Sequence, residues 1–183
     1  MAIVFPGQYC LFNNARTASI SLTEALAKAH PIVERTKNHY ATQVEQEKLC
    51  IGGEVKFAVI RNPFDLVASW FCFAPQESME YFLKRFRHPW FRDRNGRLFD
   101  FFKVDRLIRY EALEQGVYDL MEELNLPLPT LSRLNPTPGK QHYSTYYTPD
   151  DVRLMHKMFP EIEEYGYKFE PPSVKGEEIW DGV

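Results

Sequence analysis

The stretch VKFAVIRNPFDLVASWF, Val55 to Phe71, constrains the fold more than any other part of the chain. Val55 to Ile60 is rich in β-branched residues and reads as a strand. Pro63 then stands at a first helical position, where its missing N–H costs nothing, with Asn62 before it as N-cap. Strand, turn and helix follow one another at once, and two other stretches do the same. Tyr9 to Phe12 is a strand candidate, followed by Leu22, Ala25, Leu26 and Ala29 at the spacing of one helical face. Arg106 to Tyr110 is a third strand candidate, followed by Leu113, Val117, Leu120, Met121 and Leu124 on one stripe. Such alternation predicts parallel βα units, hence an α/β domain with helices around a short parallel sheet. Near the end, Thr148 as cap, Pro149 at the first position, Asp150 and Asp151 against the dipole, and apolar Val152, Met155 and Phe159 predict a helix that stops at Pro160. The Pro-rich loop before it, Leu126 to Ser144, is long enough to suggest a functional role.

With 183 residues, 44% of them hydrophobic, the chain is sized for one core, and a single domain over residues 1–170 with a tail over 171–183 is expected. The net charge of -3 gives no global bias towards nucleic acid, so an anionic ligand must be bound locally. Cys10, Cys50 and Cys72 form no CxxC pair and cannot all pair within the chain, which suits a reducing compartment. The N-terminus has no charged start leading into a long apolar run, and no stretch approaches the ~20 apolar residues of a membrane span. The expectation is a soluble cytoplasmic protein with no nucleic-acid or membrane partner.

LFNNARTASISLTEAL, Leu11 to Leu26, passes from a strand through small polar residues into a helix. The unpaired N–H groups of a first helical turn, together with the helix dipole, attract a phosphate. Arg16 adds a fixed charge with a planar fork of donors, and Thr17, Ser19 and Ser21 add hydroxyls. The alternative is a simple capping box between Ser21 and Glu24, with Arg16 solvated. The stretch lacks the GxxxxGK[ST] pattern of nucleoside triphosphatases. Arg61 lies at the carboxyl end of a strand and Ser69 eight residues later, about two turns into the helix, so one phosphate fits between them. In open α/β sheets ligands collect at the carboxyl ends of strands, so the turns after Phe12 and Ile60 face a common crevice if their strands are neighbours. Two anion sites suggest a ligand phosphorylated at two places.

With these residues the chain resembles the sulfotransferases that use 3′-phosphoadenosine 5′-phosphosulfate (PAPS), especially the carbohydrate-type branch. There a turn like PKTGSTSL after the first strand holds the 5′-phosphosulfate, and RNPxDxxxS after a later strand holds the 3′-phosphate. The second motif is intact here as Arg61, Asn62, Pro63, Asp65 and Ser69. NHYATQ, LIRYEAL, Asn135 and YYTPDDVRLMHKMFPEIEEYGYKF match more loosely, so the resemblance runs from Tyr9 to Phe169. The first turn departs from the pattern: Arg16 stands for a lysine, Ala18 for a glycine and Ile20 for a hydroxyl residue. The resemblance implies a P-loop-like three-layer α/β domain that moves a sulfuryl group from PAPS to a hydroxyl, most readily on a carbohydrate, leaving PAP and needing no metal.

Sulfuryl transfer resembles phosphoryl transfer, so it rests on positioning, charge stabilisation and a proton acceptor. The resemblance assigns the nucleotide to Arg16, Thr17, Ala18, Ser19, Ile20, Ser21, Arg61 and Ser69. Lys140 in TPGKQHY is a further candidate that closes over the phosphates, or else an ordinary exposed lysine. Arg16 and His39 are the catalytic candidates, with His39 as the base and Glu24 as its rival. Trp70 to Phe102 is dense in aromatics and cations. It is either an acceptor site or core with a solvated face, and the helical spacing of Met79, Phe82, Leu83 and Phe86 favours core. Two rival readings are a PAP- or PAPS-binding module without turnover and a small P-loop kinase, which would require magnesium and a nucleoside triphosphate.

Overall fold

The computed structural model describes residues 2–5, 8–12, 16–30, 34–35, 48, 53–73, 78–85, 104–132 and 139–171. His39, Asn135, the NHYATQ stretch and the aromatic segment from Phe86 to Phe102 lie outside them. The chain divides into two compact units, one of Met1–Ile60 with Phe101–Asn135, the other of Arg61–Asp100 with Pro136–Val183. Neither is continuous in sequence.

The first unit is organised by a sheet. Its strands are β1 (Ala2–Phe5), β2 (Tyr9–Phe12), β3 (Glu34–Arg35), β4 (Val55–Ile60) and β5 (Arg106–Arg109), in the order β3-β1-β2-β4-β5. β2, β4 and β5 form the expected parallel ladder, with Phe12 opposite Ala58 and Ile60 opposite Arg109. β1 and β3 add antiparallel pairings, β1 turning back onto β2 with Phe5 opposite Tyr9 and Ala2 opposite Phe12. The sheet is therefore mixed, and the wholly parallel expectation holds for β2, β4 and β5, the half that ends at the β5 edge.

Helix α1 (Ser19–Ala29) buries Leu22, Ala25 and Leu26, the face its spacing predicts. Leu22 and Leu26 join Phe5, Tyr9, Leu11, Phe57, Val59 and Ile108 in one core cluster. A later helix of this unit, Leu113–Glu123, adds Val117, Leu120 and Met121 to that cluster. Gly116 on this helix faces β5: a Cβ there would lie 2.6 Å from Ile108 Cγ2, so only glycine permits the approach. His30 caps the end of α1 and is buried, its Nε2–H donating to the carbonyl of Pro127 at 3.1 Å. Tyr9 stacks on Phe5, with ring centroids 4.3 Å apart, and its hydroxyl has no hydrogen-bond partner among the described residues. Burial pushes that phenol far up.

Numbered in chain order, the α-helices with bounds among the described residues are α1, α2 (Pro63–Phe73), α3 (Met79–Arg85), α4 (Leu113–Glu123), α5 (Pro149–Met158) and α6 (Glu161–Glu164). The second unit holds α2, α3, α5 and α6, with a 3-10 turn at Tyr143–Tyr146. Its core gathers around Phe64, whose ring meets Tyr147 at 5.6 Å, His156 at 5.7 Å and Phe169 at 5.0 Å. α5 begins as expected: Thr148 Oγ1 accepts from Asp151 N at 3.2 Å, and Asp151 Oδ2 accepts from Thr148 N at 2.9 Å. It ends at Met158, and Pro160 caps α6 instead of merely stopping the chain's helical run. Met79, Phe82 and Leu83 are buried and Lys84 and Arg85 exposed, so the described part of the aromatic stretch is core with a solvated face.

Cys10 is fully buried in β2 and disulfide-bonded, whereas Cys72 is a half-buried free thiol. Among the described residues no helix is long and apolar enough to cross a membrane.

Candidate functional site

In the first unit, the turn into α1 is the first candidate. Ala18 is the N-cap residue and makes no side-chain cap, while its carbonyl accepts the first helical hydrogen bond from Leu22 N at 2.9 Å. Ser21 therefore sits inside the helix, and the Ser21–Glu24 capping box is not how α1 starts. Glu24 is exposed one turn further on. Thr17, Ser19 and Ser21 are buried, Arg16 is half-buried, and Ile20 is 41% exposed.

The backbone of this turn is unusual. Arg16 has φ 62° and Ala18 φ 58°, both in the left-handed region. A Cβ-bearing residue there loses roughly 1–2 kcal/mol. Glycine would adopt this geometry freely, and Ala18 is the position at which the resembled turn carries glycine. The chain thus adopts left-handed backbone at Ala18 without the residue that suits it best.

In the second unit, α2 opens as its sequence predicts: Asn62 Oδ1 accepts from Phe64 N at 3.0 Å. Asn62 Nδ2 also donates to the carbonyl of Lys168 at 3.3 Å, and Glu170 N donates to the Tyr143 hydroxyl at 2.9 Å. Tyr147 donates to the Phe64 carbonyl at 2.7 Å. The start of α2 is thereby clasped by two later segments.

Arg61, two residues before α2, is followed by Asp65 and Ser69 at four-residue steps, the last two on one face of the helix. Arg61 Nε and Nη2 donate to Asp65 Oδ2 at 2.6 and 2.5 Å, and Lys140 Nζ pairs with Asp65 Oδ1. All three side chains are less than one-fifth exposed. Burial pushes the Asp65 carboxyl up, but the charges and hydrogen bonds of Arg61 and Lys140 outweigh it and hold the group below the usual carboxylate range. Burial likewise raises the Tyr143 and Tyr147 phenols, so both stay neutral donors. Among the described residues the carboxylate of Asp65 thus gathers two cations, Arg61 and Lys140, in a place largely out of bulk water, where a charge-assisted hydrogen bond counts for most.

Of the nucleotide-binding candidates in this unit, Arg61 and Lys140 are thus brought together. Ser69 lies on the same face but is 1% exposed, so a phosphate reaches its hydroxyl only by entering a closed space or by rotamer change. Lys140 is not an ordinary exposed lysine. The residue missed by sequence reasoning is Asp65, quoted within the motif but given no role. Its i, i+4 spacing from Arg61 was a readable sign of an ion pair; its contact with Lys140 was not.

His39, the proposed base, lies outside the described residues. No family model, curated protein or solved structure matches the chain.

Proposed function

We propose that the chain is a PAPS-dependent sulfotransferase with a P-loop-like domain, acting on a hydroxyl acceptor of carbohydrate type. The observation that supports this most is the pairing of Arg61 and Lys140 through Asp65, which brings two cations together where a nucleotide 3′-phosphate would need them. The reading assigns the 5′ end of the nucleotide to the α1 turn, where Arg16 supplies charge and Ser19, Ile20 and Ser21 present first-turn N–H groups. PAPS would supply the sulfuryl group. Arg16 would stabilise charge on the bridging oxygen, and His39 would accept the proton of the acceptor hydroxyl.

One observation favours a second reading, a PAP-binding module without turnover: the Cβ of Ala18 stands on left-handed backbone at the point where an anion must approach closely. The test has two parts. Calorimetry should show PAP binding at least about tenfold more tightly than AMP, since a charge-assisted hydrogen bond is worth roughly 1.5–3 kcal/mol. Transfer of labelled sulfate from PAPS to a panel of glycans and small alcohols should fall about 10²–10⁴-fold in His39→Ala with PAP affinity kept. Tight PAP binding with no transfer to any acceptor supports the module. Equal affinity for PAP and AMP removes both readings, and selective binding of ATP with magnesium would point to a kinase.

A further inference from the structure

We infer that Asp65 is a positioning residue for phosphate recognition: its two carboxylate oxygens hold Arg61 and Lys140 side by side, so that two cations far apart in the chain meet one phosphate together. The inference rests on the reading of this cluster as the 3′-phosphate site and adds a role that reading does not contain.

Three features carry it. Arg61 uses two of its donors on Oδ2 alone, which fixes the plane of the guanidinium. Lys140 takes the other oxygen, so the carboxylate separates the two cations instead of serving one. Lys140 follows Gly139, which has φ 67°, and precedes the Tyr143–Tyr146 turn packed on α2, so its ion pair fixes the end of a loop. A lysine is a flexible point charge, and holding it in place beforehand removes an ordering cost from binding. Without the carboxylate, the two cations would repel each other and Lys140 would turn to solvent.

A rival view makes Asp65 a competitor, an internal anion that a phosphate must displace. The two views differ in sign. If Asp65 positions the cations, Asp65→Asn should reduce PAP affinity about tenfold or more while AMP affinity stays within about twofold. Asp65→Glu, which keeps the carboxylate, should recover part of that loss. Lys140→Ala should lower PAP affinity similarly in the wild-type background and have little further effect in Asp65→Asn, because the lysine is already displaced there.

Calorimetric titration of PAP and AMP into the four variants and the wild type decides the matter. Unchanged or tighter PAP binding by Asp65→Asn overturns the inference and makes Asp65 a competitor, as do fully additive losses in the double variant. No preference for PAP over AMP in the wild type overturns the underlying site reading instead. If Asp65→Asn does not fold, Lys140→Ala and Asp65→Glu remain: an unaltered ratio of PAP to AMP affinity in Lys140→Ala overturns the inference by itself.

Discussion

Replacing Ala18, the N-cap of α1, by glycine should stabilise the protein. At φ 58° and ψ 21° the alanine Cβ crowds the following carbonyl, at a cost of roughly 1–2 kcal/mol. Glycine removes that cost but has greater freedom in the unfolded chain, which offsets about 0.5–1 kcal/mol. The balance is a gain of about 0.5–1 kcal/mol, or roughly 1–4 °C in Tm for a chain of this size. Asparagine, which tolerates the left-handed region, should gain less, and valine should lose more than about 1 kcal/mol. Urea unfolding of the four proteins, followed by circular dichroism, gives the ranking. A valine variant as stable as wild type, or a glycine variant less stable, would refute the argument from left-handed backbone. If the sulfotransferase reading holds, Ala18→Gly should also raise affinity for the 5′ end of the nucleotide, measured with AMP.

Gly116→Ala should destabilise by about 1–2 kcal/mol despite the better helix propensity of alanine, because the new Cβ would meet the stiff Ile108 Cγ2 at 2.6 Å; thermal melts read the sign. Thr148→Ala should cost about 1 kcal/mol by removing the acceptor for Asp151 N, with Thr148→Ser close to wild type in the same melts. Asp65 is held below its ordinary value of 3.8, so the folded state binds its proton less readily than the unfolded chain does. Its stabilising contribution is therefore complete above about pH 4 and declines as pH falls through the lower folded value. The stability difference between wild type and Asp65→Asn, measured by urea unfolding from pH 7 to pH 2.5, should shrink only at the acid end; a constant difference would show that the ion pairs are not its source.

What was legible in the sequence is what neighbouring residues decide together. The strands Tyr9–Phe12 and Val55–Ile60 fall where composition put them, and Asn62–Pro63 and Thr148–Pro149 open their helices through caps that need only local geometry. β1 was not read because its apolar run AIVF is too short to distinguish from a buried segment, and only pairing with β2 makes it a strand. The sign of φ at Ala18 was equally hidden, since alanine normally argues against it. In the candidate site, Arg61 and Ser69 could be placed from spacing along one helix. The meeting of Asp65 with Lys140 depends on how a distant loop returns, and no local pattern encodes it.

The clasp at the start of α2 has a consequence for the order in which the chain can complete itself. Asn62 reaches Lys168 across 106 residues, and Phe64 is enclosed by Tyr143, Tyr147 and Phe169. A ribosome-bound chain that has emerged only as far as Asp100 contains Arg61 and Asp65 but neither Lys140 nor the aromatic wall. The first unit lacks only its segment from Phe101 to Asn135 at that stage, whereas the second waits for the last of its packing until Phe169 is free. Contacts between such distant residues form slowly because a long loop must close before they are rewarded. The motif that is easiest to read in the sequence is thus among the last to take shape during synthesis, and until then its arginine and carboxylate remain an ordinary surface pair.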